Sequence, residues 1–473
     1  MEKVRKVKKR AAVGLTGFLL CHLLAACADT AGKRPPEDGG EGALSGETQL
    51  TVVTTFAGGD GNAQNYRNSY RQWETQTGNR IVDRSAGSDL TFRSRVLADF
   101  ETGSEPDVLF FFYGGEADTL IEAGKVVCVE EIRLSYPGYA ANISEEKIPC
   151  SEVDGRKYAV PVTGYWEALF VNTRILEEAG VPLPGADATW DEFLAGCARI
   201  REAGYVPIAA ALGSIPHYWW EYAIFNHTGP ESHLEIPISA DTAAGQAWVD
   251  GLSDIRSLYE AGYFPANTLS ASDDETFAMF MDGKAAFLLD GSWKAGQIVS
   301  ACQADPADPD TLDQKKLSDY SVTYLPGTER RQAGDLIGGF SMGYYITRKA
   351  WEDPSKREAA VSFVSFMTGD EVARRFSGYA VDALLEEPQA QGAADALQER
   401  EPQTGADSPV PNNSLQEAVW ELLRGSSSLT EALQDRFDGG CRTPTFAGMP
   451  DIVTGRADAK EAVEKGLRIY HGS

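Results

Sequence analysis

An apolar strand-like run, a loop and a helix follow one another repeatedly along this sequence, and this succession limits the folds that it can adopt. Residues 49–56 (QLTVVTTF) form a β-branched alternating run, and a helix that ends at Gly78 follows them. Residues 107–113 (DVLFFFY) form a continuous apolar run, and a second helix ends at Gly124. This alternation predicts an α/β protein with mostly parallel sheets, in which ligands bind at the carboxyl ends of strands.

The same succession recurs along the rest of the chain. Residues 168–172 form a strand before a short helix, and Thr189 begins another helix as its N-cap, with Glu192 completing a capping box. Residues 285–290 and 337–347 are read as further strands, the latter as one continuous strand. So many units predict two sheets that the chain visits more than once.

Residues 1–26 have the character of a secretory signal peptide. Six Lys and Arg residues stand in the first ten positions, and residues 11–26 contain no Asp, Glu, Lys or Arg. This apolar stretch is shorter than the roughly 20 residues of a membrane-spanning helix. Residues 27–48, rich in Gly, Pro and acidic residues, are predicted to be a flexible tether.

The end of the signal, Leu24-Ala25-Ala26-Cys27, resembles the lipobox of bacterial lipoproteins. In those proteins the cysteine becomes the first mature residue and carries acyl chains. The resemblance implies that lipidated Cys27 anchors the protein to the outer face of the cytoplasmic membrane. An ordinary cleaved signal with an incidental cysteine is the alternative.

Net charge limits the partners that this protein can bind, and its cysteines offer one candidate disulfide bond. Removing the six basic residues and one acid of residues 1–26 leaves 37 Lys and Arg against 69 Asp and Glu, a net charge of −32. This charge argues against nucleic acid and anionic lipid headgroups as partners. Cys128 and Cys150 flank a short surface-like segment and are the candidate pair for one disulfide bond, with buried free thiols as the alternative.

Several segments, in this order and spacing, resemble the extracellular solute-binding proteins of bacterial ABC importers, in the sugar-binding group that includes maltose-binding protein. No single segment is a chemical signature, but together they span nearly all of the mature chain. They are Glu105-Pro106-Asp107-Val108, residues 154–161 (DGRKYAVP), residues 169–172 (LFVN), residues 177–180 (EEAG), residues 189–193 (TWDEF), residues 283–293 (GKAAFLLDGSW) and residues 337–349 (IGGFSMGYYITRK).

The resemblance implies a periplasmic-binding-protein-like fold of two α/β lobes joined by a hinge. Residues 49–162 and 337–368 are expected to form lobe 1, and residues 163–336 and 369–473 to form lobe 2. A ligand would be trapped in the cleft as the lobes close, and the membrane permease of an importer would recognise the closed state. The implied cargo is a carbohydrate, namely an oligosaccharide, and the implied protein is a monomer without a cofactor.

A sugar offers an apolar face that stacks on an aromatic ring and hydroxyls that both donate and accept hydrogen bonds. Candidate ligand-binding residues are therefore aromatic, acidic or amide side chains near strand ends, and glycines where the resemblance puts a strand at the cleft. Trp293 is the strongest candidate, because it matches a tryptophan that commonly stacks on the sugar in this group. The candidates are Phe56, Asp60, Asn62, Tyr113, Glu116, Tyr165, Trp166, Glu167, Trp219, Trp220, Glu221, Trp293, Gly339 and Phe340.

Three other functions use the same features. A secreted glycoside hydrolase also places carboxylates beside aromatic rings. The sequence, however, lacks an H-E-x-x-H motif, and we predict neither catalysis nor a metal site. A related two-lobed receptor for a polyamine would need several convergent acids. A surface adhesin or sensor subunit without a transporter would use the same cleft.

Overall fold

A computed structural model describes residues 48–58, 60–87, 90–305, 308–376, 414–437 and 439–472. The predicted signal peptide (residues 1–26), Cys27 and all but the last residue of the predicted tether (27–48) lie outside the described residues. Within the described ranges, no helix combines the length and the apolar character needed to cross a membrane.

Strands lie in all the predicted apolar runs; those at residues 49–56 and 107–113 are shorter than predicted, and those at 168–172 and 285–290 are longer. The strands are β1 Gln49–Val53, β2 Arg80–Asp83, β3 Val108–Phe112, β4 Tyr165–Asn172, β5 Val206–Ala209, β6 Ala285–Gly291, β7 Gln303–Asp305, β8 Asp308–Leu312, β9 Tyr320–Thr323, β10 Asp335–Gly339, β11 Met342–Ile346 and β12 Ser428–Thr430.

Helices separate most of these strands. They are α1 Ala63–Thr77, α2 Leu90–Glu101, α3 Gly115–Glu122, α4 Val129–Ser135, α5 Thr173–Glu178, α6 Trp190–Glu202, α7 His217–Thr228, α8 Ala243–Glu260, α9 Asp273–Met281, α10 Lys294–Ala301, α11 Gln314–Leu317, α12 Arg348–Glu352, α13 Pro354–Met367, α14 Asp370–Phe376, α15 Ser414–Arg424, α16 Leu433–Arg436, α17 Thr443–Phe446, α18 Met449–Val453 and α19 Ala459–His471. Short 3-10 helices span Glu145–Lys147 and Gly439–Cys441.

The first sheet has the order β11-β3-β1-β2. Its β1 runs parallel to β2 and β3, and β11 is antiparallel to β3. Because successive strand residues point to opposite faces, Val52 and Phe110 enter one core while Val53 and Phe111 enter another. This sheet is therefore buried on both faces, which explains the continuous apolar run of β3.

The second sheet has the order β12-β10-β4-β6-β5, and β9 also pairs with β4. Strand β4 runs antiparallel to β6, β9 and β10. This sheet is therefore mixed, whereas the sequence had indicated a mostly parallel sheet. The predicted capping box of α6 is confirmed, with the Thr189 side chain accepting the backbone N–H of Glu192. The predicted two-lobed α/β fold is confirmed.

The lobe boundaries differ from the predicted ones at two places. Residues 337–347 are not one strand: β10 belongs to the second sheet and β11 to the first, so the chain crosses after Gly339 and not before Ile337. Gly339 has φ of 142°, a conformation that only glycine adopts easily. Helix α14 packs its Phe376 into the first lobe, which therefore extends beyond residue 368.

Candidate functional site

Two crossings between the sheets lie side by side at the start of β4. Gly339 pairs with Tyr165, and a Cβ atom at Gly164 would lie 2.8 Å from the Gly339 carbonyl oxygen and 2.8 Å from the ring of Phe340. The close approach requires glycine at position 164. The predicted residues Gly339 and Phe340 thus lie at the hinge, beside the cleft.

Aromatic rings form one wall of the cleft at the ends of β4 and β6. The Trp293 indole lies over Gly291, where a Cβ atom would come within 2.2 Å of the ring. The ring centroid of Trp293 is 5.6 Å from that of Tyr165 and 6.5 Å from that of Tyr218. Trp293 and Tyr165 are both partly exposed. They present an aromatic surface of the kind that stacks on a sugar ring.

An ion cluster holds this aromatic wall in place. Asp290 Oδ1 accepts the backbone N–H of Gly291 at 2.7 Å, and its Oδ2 lies 3.4 Å from Lys294 Nζ. Lys294 is 3 % exposed and also pairs with Asp273 at 2.8 Å. Burial raises the pKa of Asp290 to about 6, although Lys294 opposes the shift. The cluster joins the end of β6 to the first turn of α10 and so fixes Trp293 between them.

Glu221 holds a distant segment against α7. Its Oε2 accepts the backbone N–H of Leu433 at 2.9 Å, its Oε1 accepts that of Gln434 at 2.6 Å, and His233 Nε2 lies 3.2 Å from Oε2. Because these bonds occupy both oxygens, the predicted ligand residue Glu221 is a structural residue. It places α16, and therefore Asp435, at the cleft.

The loop before α1 forms the facing wall. A Cβ atom at Gly61 would lie 2.9 Å from the Trp293 carbonyl oxygen and 3.4 Å from the Cα of Gly296. Asp60 and Asn62, which flank this contact, are partly exposed. Burial raises the pKa of Asp60 to about 6, against the hydrogen bond that it accepts from the backbone of Asn62. The two lobes therefore meet here through backbone.

A second contact between the walls lies at the end of β3. A Cβ atom at Gly114 would lie 3.5 Å from the carbonyl oxygen of Asp435. The partly exposed Tyr113 precedes it, and the Arg93 guanidinium stacks 3.7 Å from the ring centroid of Phe112. The Asp435 side chain keeps an exposed surface. Partial removal from bulk water and then the charge of Glu221 raise its pKa to about 7, with Arg93 opposing the shift. Polar groups from both lobes thus meet at this point.

The structure buries several predicted ligand residues in the cores. Phe56 is 4 % exposed and packs 4.7 Å from Phe110, between ring centroids, in the first lobe. Trp166 is fully buried in the second lobe, and Trp219 and Trp220 are 3 % and 0 % exposed there. The structure thus places these four side chains in cores and not beside the cleft, because the sequence does not tell which strand or helix face meets a core. Glu116 was also predicted to bind the ligand, and its side chain lies outside the described part of the structure.

The burial of Trp219 and Trp220 has a specific cause. Residues 217–222 (HYWWEY) include four Tyr and Trp rings, and a helix buried on one side could not cover them all. Helix α7 is instead enclosed on every side, and all of residues 218–226 are buried. The C-terminal segment supplies the missing cover, because Phe446 and Phe437 pack 5.2 Å and 6.4 Å from Trp220, between ring centroids.

The predicted disulfide bond between Cys128 and Cys150 is absent, because both are free thiols. Cys128 is buried, and its sulfur accepts a hydrogen bond from Arg156 Nη1 at 3.4 Å. Cys150 is exposed, and its backbone forms an isolated antiparallel β-bridge with that of Lys157.

The cleft brings together part of the predicted set and adds residues that we had not chosen. Predicted residues at or beside it are Asp60, Asn62, Tyr113, Tyr165, Glu167, Trp293, Gly339 and Phe340. Added residues are Arg93, His217, Tyr218, Asp290 and Asp435. Tyr218 and Asp290 stand next to sequence features that we had singled out, whereas nothing in the sequence pointed to Arg93 or Asp435.

Gly61 offers a test of closure. Gly61→Val would place a side chain against the Trp293 carbonyl, and position 61 does not have the positive φ that disfavours other residues. We expect an affinity about tenfold weaker for whichever ligand binds in the cleft, because the closed state becomes less favourable. Calorimetric titration measures it, with Gly87→Val as the matched control, since no atom lies within 4 Å of a Cβ there. Equal affinity in both variants would show that this contact does not limit closure.

Comparison with known proteins gives a family and a fold. Residues 49–374 match the family model described as "Bacterial extracellular solute-binding protein". A "Maltooligosaccharide ABC transporter solute-binding lipoprotein" of Streptococcus pneumoniae serotype 4 is 22% identical over 98% of this chain and 97% of its own.

Solved structures of similar proteins share the fold. A structure described as "Chitin oligosaccharide binding protein" has a TM-score of 0.69 and 20% identity, covering 90% of this chain and 98% of its own. The maltose/maltodextrin-binding domain MalE from Bdellovibrio bacteriovorus, bound to maltotriose, has a TM-score of 0.63 and 15% identity, covering 90% of this chain and 99% of its own.

Proposed function

The chain belongs to the family of bacterial extracellular solute-binding proteins, and from this premise we propose that it captures a carbohydrate in the cleft between its lobes. The observation that carries the proposal is the partly exposed surface of Tyr165 and Trp293, with carboxyl groups beside it. Rings offer the apolar face of a sugar a place to stack, and carboxylates accept its hydroxyls.

The cargo that we propose is an oligosaccharide. The names of the pneumococcal relative and of both similar structures mention oligosaccharides or maltotriose, which supports this class. We further propose that the two lobes rotate about the crossings at Gly164 and Gly339, and that the closed monomer delivers its cargo to the permease subunits of an ABC importer. In this role the protein binds its ligand unchanged and is not an enzyme.

The experiment that tests this function is a thermal-shift screen of residues 28–473 against mono- and oligosaccharides, polyamines and amino acids. A ligand at a hundredfold excess over its dissociation constant should add about 2.7 kcal/mol of stability. We expect stabilisation by one saccharide class and recovery of the intact sugar by chromatography. Stabilisation by polyamines alone would refute the carbohydrate proposal, and cleavage of the sugar would instead indicate a glycoside hydrolase.

We also propose that Cys27 carries the lipid anchor, on the outer face of the cytoplasmic membrane. Cys27→Ser should move the protein from the membrane fraction to the soluble extracytoplasmic fraction when cells are fractionated. Cys21→Ser is the matched control, because Cys21 lies within the signal peptide and outside the Leu24–Cys27 motif. Retention of the Cys27→Ser protein in the membrane fraction would contradict this anchor.

A further inference from the structure

Glu167 is a buried carboxyl group without a partner at the floor of the cleft. It lies on β4, two residues after Tyr165 and on the same strand face. Its side chain is 1 % exposed, and neither Oε1 nor Oε2 has a hydrogen-bond partner among the described residues. Buried carboxyl groups normally form hydrogen bonds with neighbouring groups, so an unpaired one such as Glu167 calls for an explanation.

The groups that surround Glu167 disfavour its ionised form. Burial raises the pKa of Glu167 well above its usual range, and Glu221, Asp290 and Asp435 each raise it further. All three neighbours are acids. A carboxyl group in this setting keeps its proton unless a cation takes the place of that proton.

The three neighbouring acids already have compensating partners. Asp290 pairs with Lys294 and accepts the N–H of Gly291. Glu221 accepts two backbone N–H groups and contacts His233, as described above. The positive charges of Arg93 and Arg442 favour the ionised form of Asp435. Glu167 is therefore the acid of this group whose carboxylate form has no compensating partner among the described residues.

A cation beside Glu167 would be stabilised by the aromatic rings as well as by the acids. Tyr165 stands on the same strand face, and its ring packs against Trp293. The faces of aromatic rings attract ammonium groups, most strongly where water is excluded. A neutral hydroxyl can form a hydrogen bond with Glu167, but only a cation balances the charge of its carboxylate form. Among the described residues no acidic or histidine cluster is arranged to hold a metal ion, so an organic cation fits better.

We propose that the saccharide bound in the cleft carries a protonated amine, and that Glu167 is the counter-charge for its ammonium group. This inference rests on the proposed function and names a chemical class of sugar within it. Asp435 and the rings of Tyr165 and Trp293 complete the environment of the ammonium group. The cargo is accordingly an amino sugar or an oligosaccharide that contains one with a free amine.

The test uses matched sugars that differ at one substituent. The probes are glucosamine, galactosamine, mannosamine and β-1,4-linked glucosamine oligosaccharides, each beside its N-acetylated and its hydroxyl counterpart. Thermal shift at millimolar concentration identifies binders to residues 28–473, and calorimetric titration gives their affinities. On the wild-type protein, the free amine should bind about 30-fold more tightly than either counterpart, as expected for a buried charge pair.

Two variants locate the effect. Glu167→Gln keeps the shape of the side chain and removes its charge, so it should abolish the preference for the amine over the hydroxyl sugar, whatever its effect on the binding of either sugar alone. Glu431→Gln is the matched control, because Glu431 is exposed beside the same cleft and pairs with Arg436. The control should retain the preference for the amine.

The outcomes separate this inference from the proposed function. Tighter binding of the amine that Glu167→Gln abolishes supports the inference. A neutral saccharide that binds better than every amine probe overturns it but leaves the carbohydrate receptor standing. A preference for the amine that survives in Glu167→Gln also overturns it, since the counter-charge must then lie elsewhere. Failure of every amine probe to stabilise the protein overturns it too.

Discussion

Replacing Trp293 with alanine should weaken saccharide binding by about 100-fold, the loss expected when an aromatic anchor leaves a binding site. The indole is partly exposed, lies over Gly291 and contacts the ring of Tyr165, so its free face is available to a ligand. The variant should fold normally, because the ion cluster of Asp290 and Lys294 holds β6 and α10 together without it. Calorimetric titration and thermal unfolding measure the two effects separately.

Trp190→Ala is the matched control for this prediction. Trp190 is also a partly buried tryptophan of the second lobe, but it stacks on Phe193 at the start of α6. Its removal should lower stability and leave the affinity for the saccharide unchanged. If Trp293→Ala instead lost stability and kept its affinity, Trp293 would be a core residue and the proposed aromatic wall would be wrong.

Arg331→Ala should lower the free energy of unfolding of the second lobe by about 4 kcal/mol. Arg331 is 1 % exposed, and its guanidinium lies 5.0 Å from the ring centroid of Tyr222. Without it, buried acceptors would lose their donors, and a cavity would open beside α7. The acceptors are Asn226 Oδ1 and the carbonyl oxygens of Leu325, Pro326, Gln332 and Asp335.

Urea denaturation followed by tryptophan fluorescence measures this loss as a lower transition midpoint. The neighbouring residue provides the control, because Arg330 is exposed and Arg330→Ala should change the midpoint little. Equal midpoints for the two variants would mean that the bonds of Arg331 contribute no net stability to the second lobe.

The local structure was predictable where one segment carries the whole signal. The apolar run at residues 107–113 became β3, and Thr189 with Glu192 formed the capping box of α6. Both depend on side chains and backbone only a few residues apart, which a sequence displays directly. Trp293 was chosen from the family resemblance. It lies beside the cleft next to Tyr165, and the role of both as ligand residues remains a prediction.

The rest of the site depends on contacts between distant segments. Asp435 reaches the cleft because Glu221, far away along the chain, binds the backbone of α16. Trp220 is covered by Phe446, which the sequence could not place against it. The run at residues 337–347 looks continuous because each half is apolar, yet Gly339 lets the chain pass from one sheet to the other.

A crystal structure of residues 28–473 with the saccharide that stabilises them most would show directly whether the cleft holds a sugar. We expect a sugar ring stacked on Trp293, within hydrogen-bond distance of side chains from both lobes, with Gly61 still close to the Trp293 carbonyl. A saccharide bound outside the cleft, or held by one lobe alone with the aromatic wall unoccupied, would contradict this expectation.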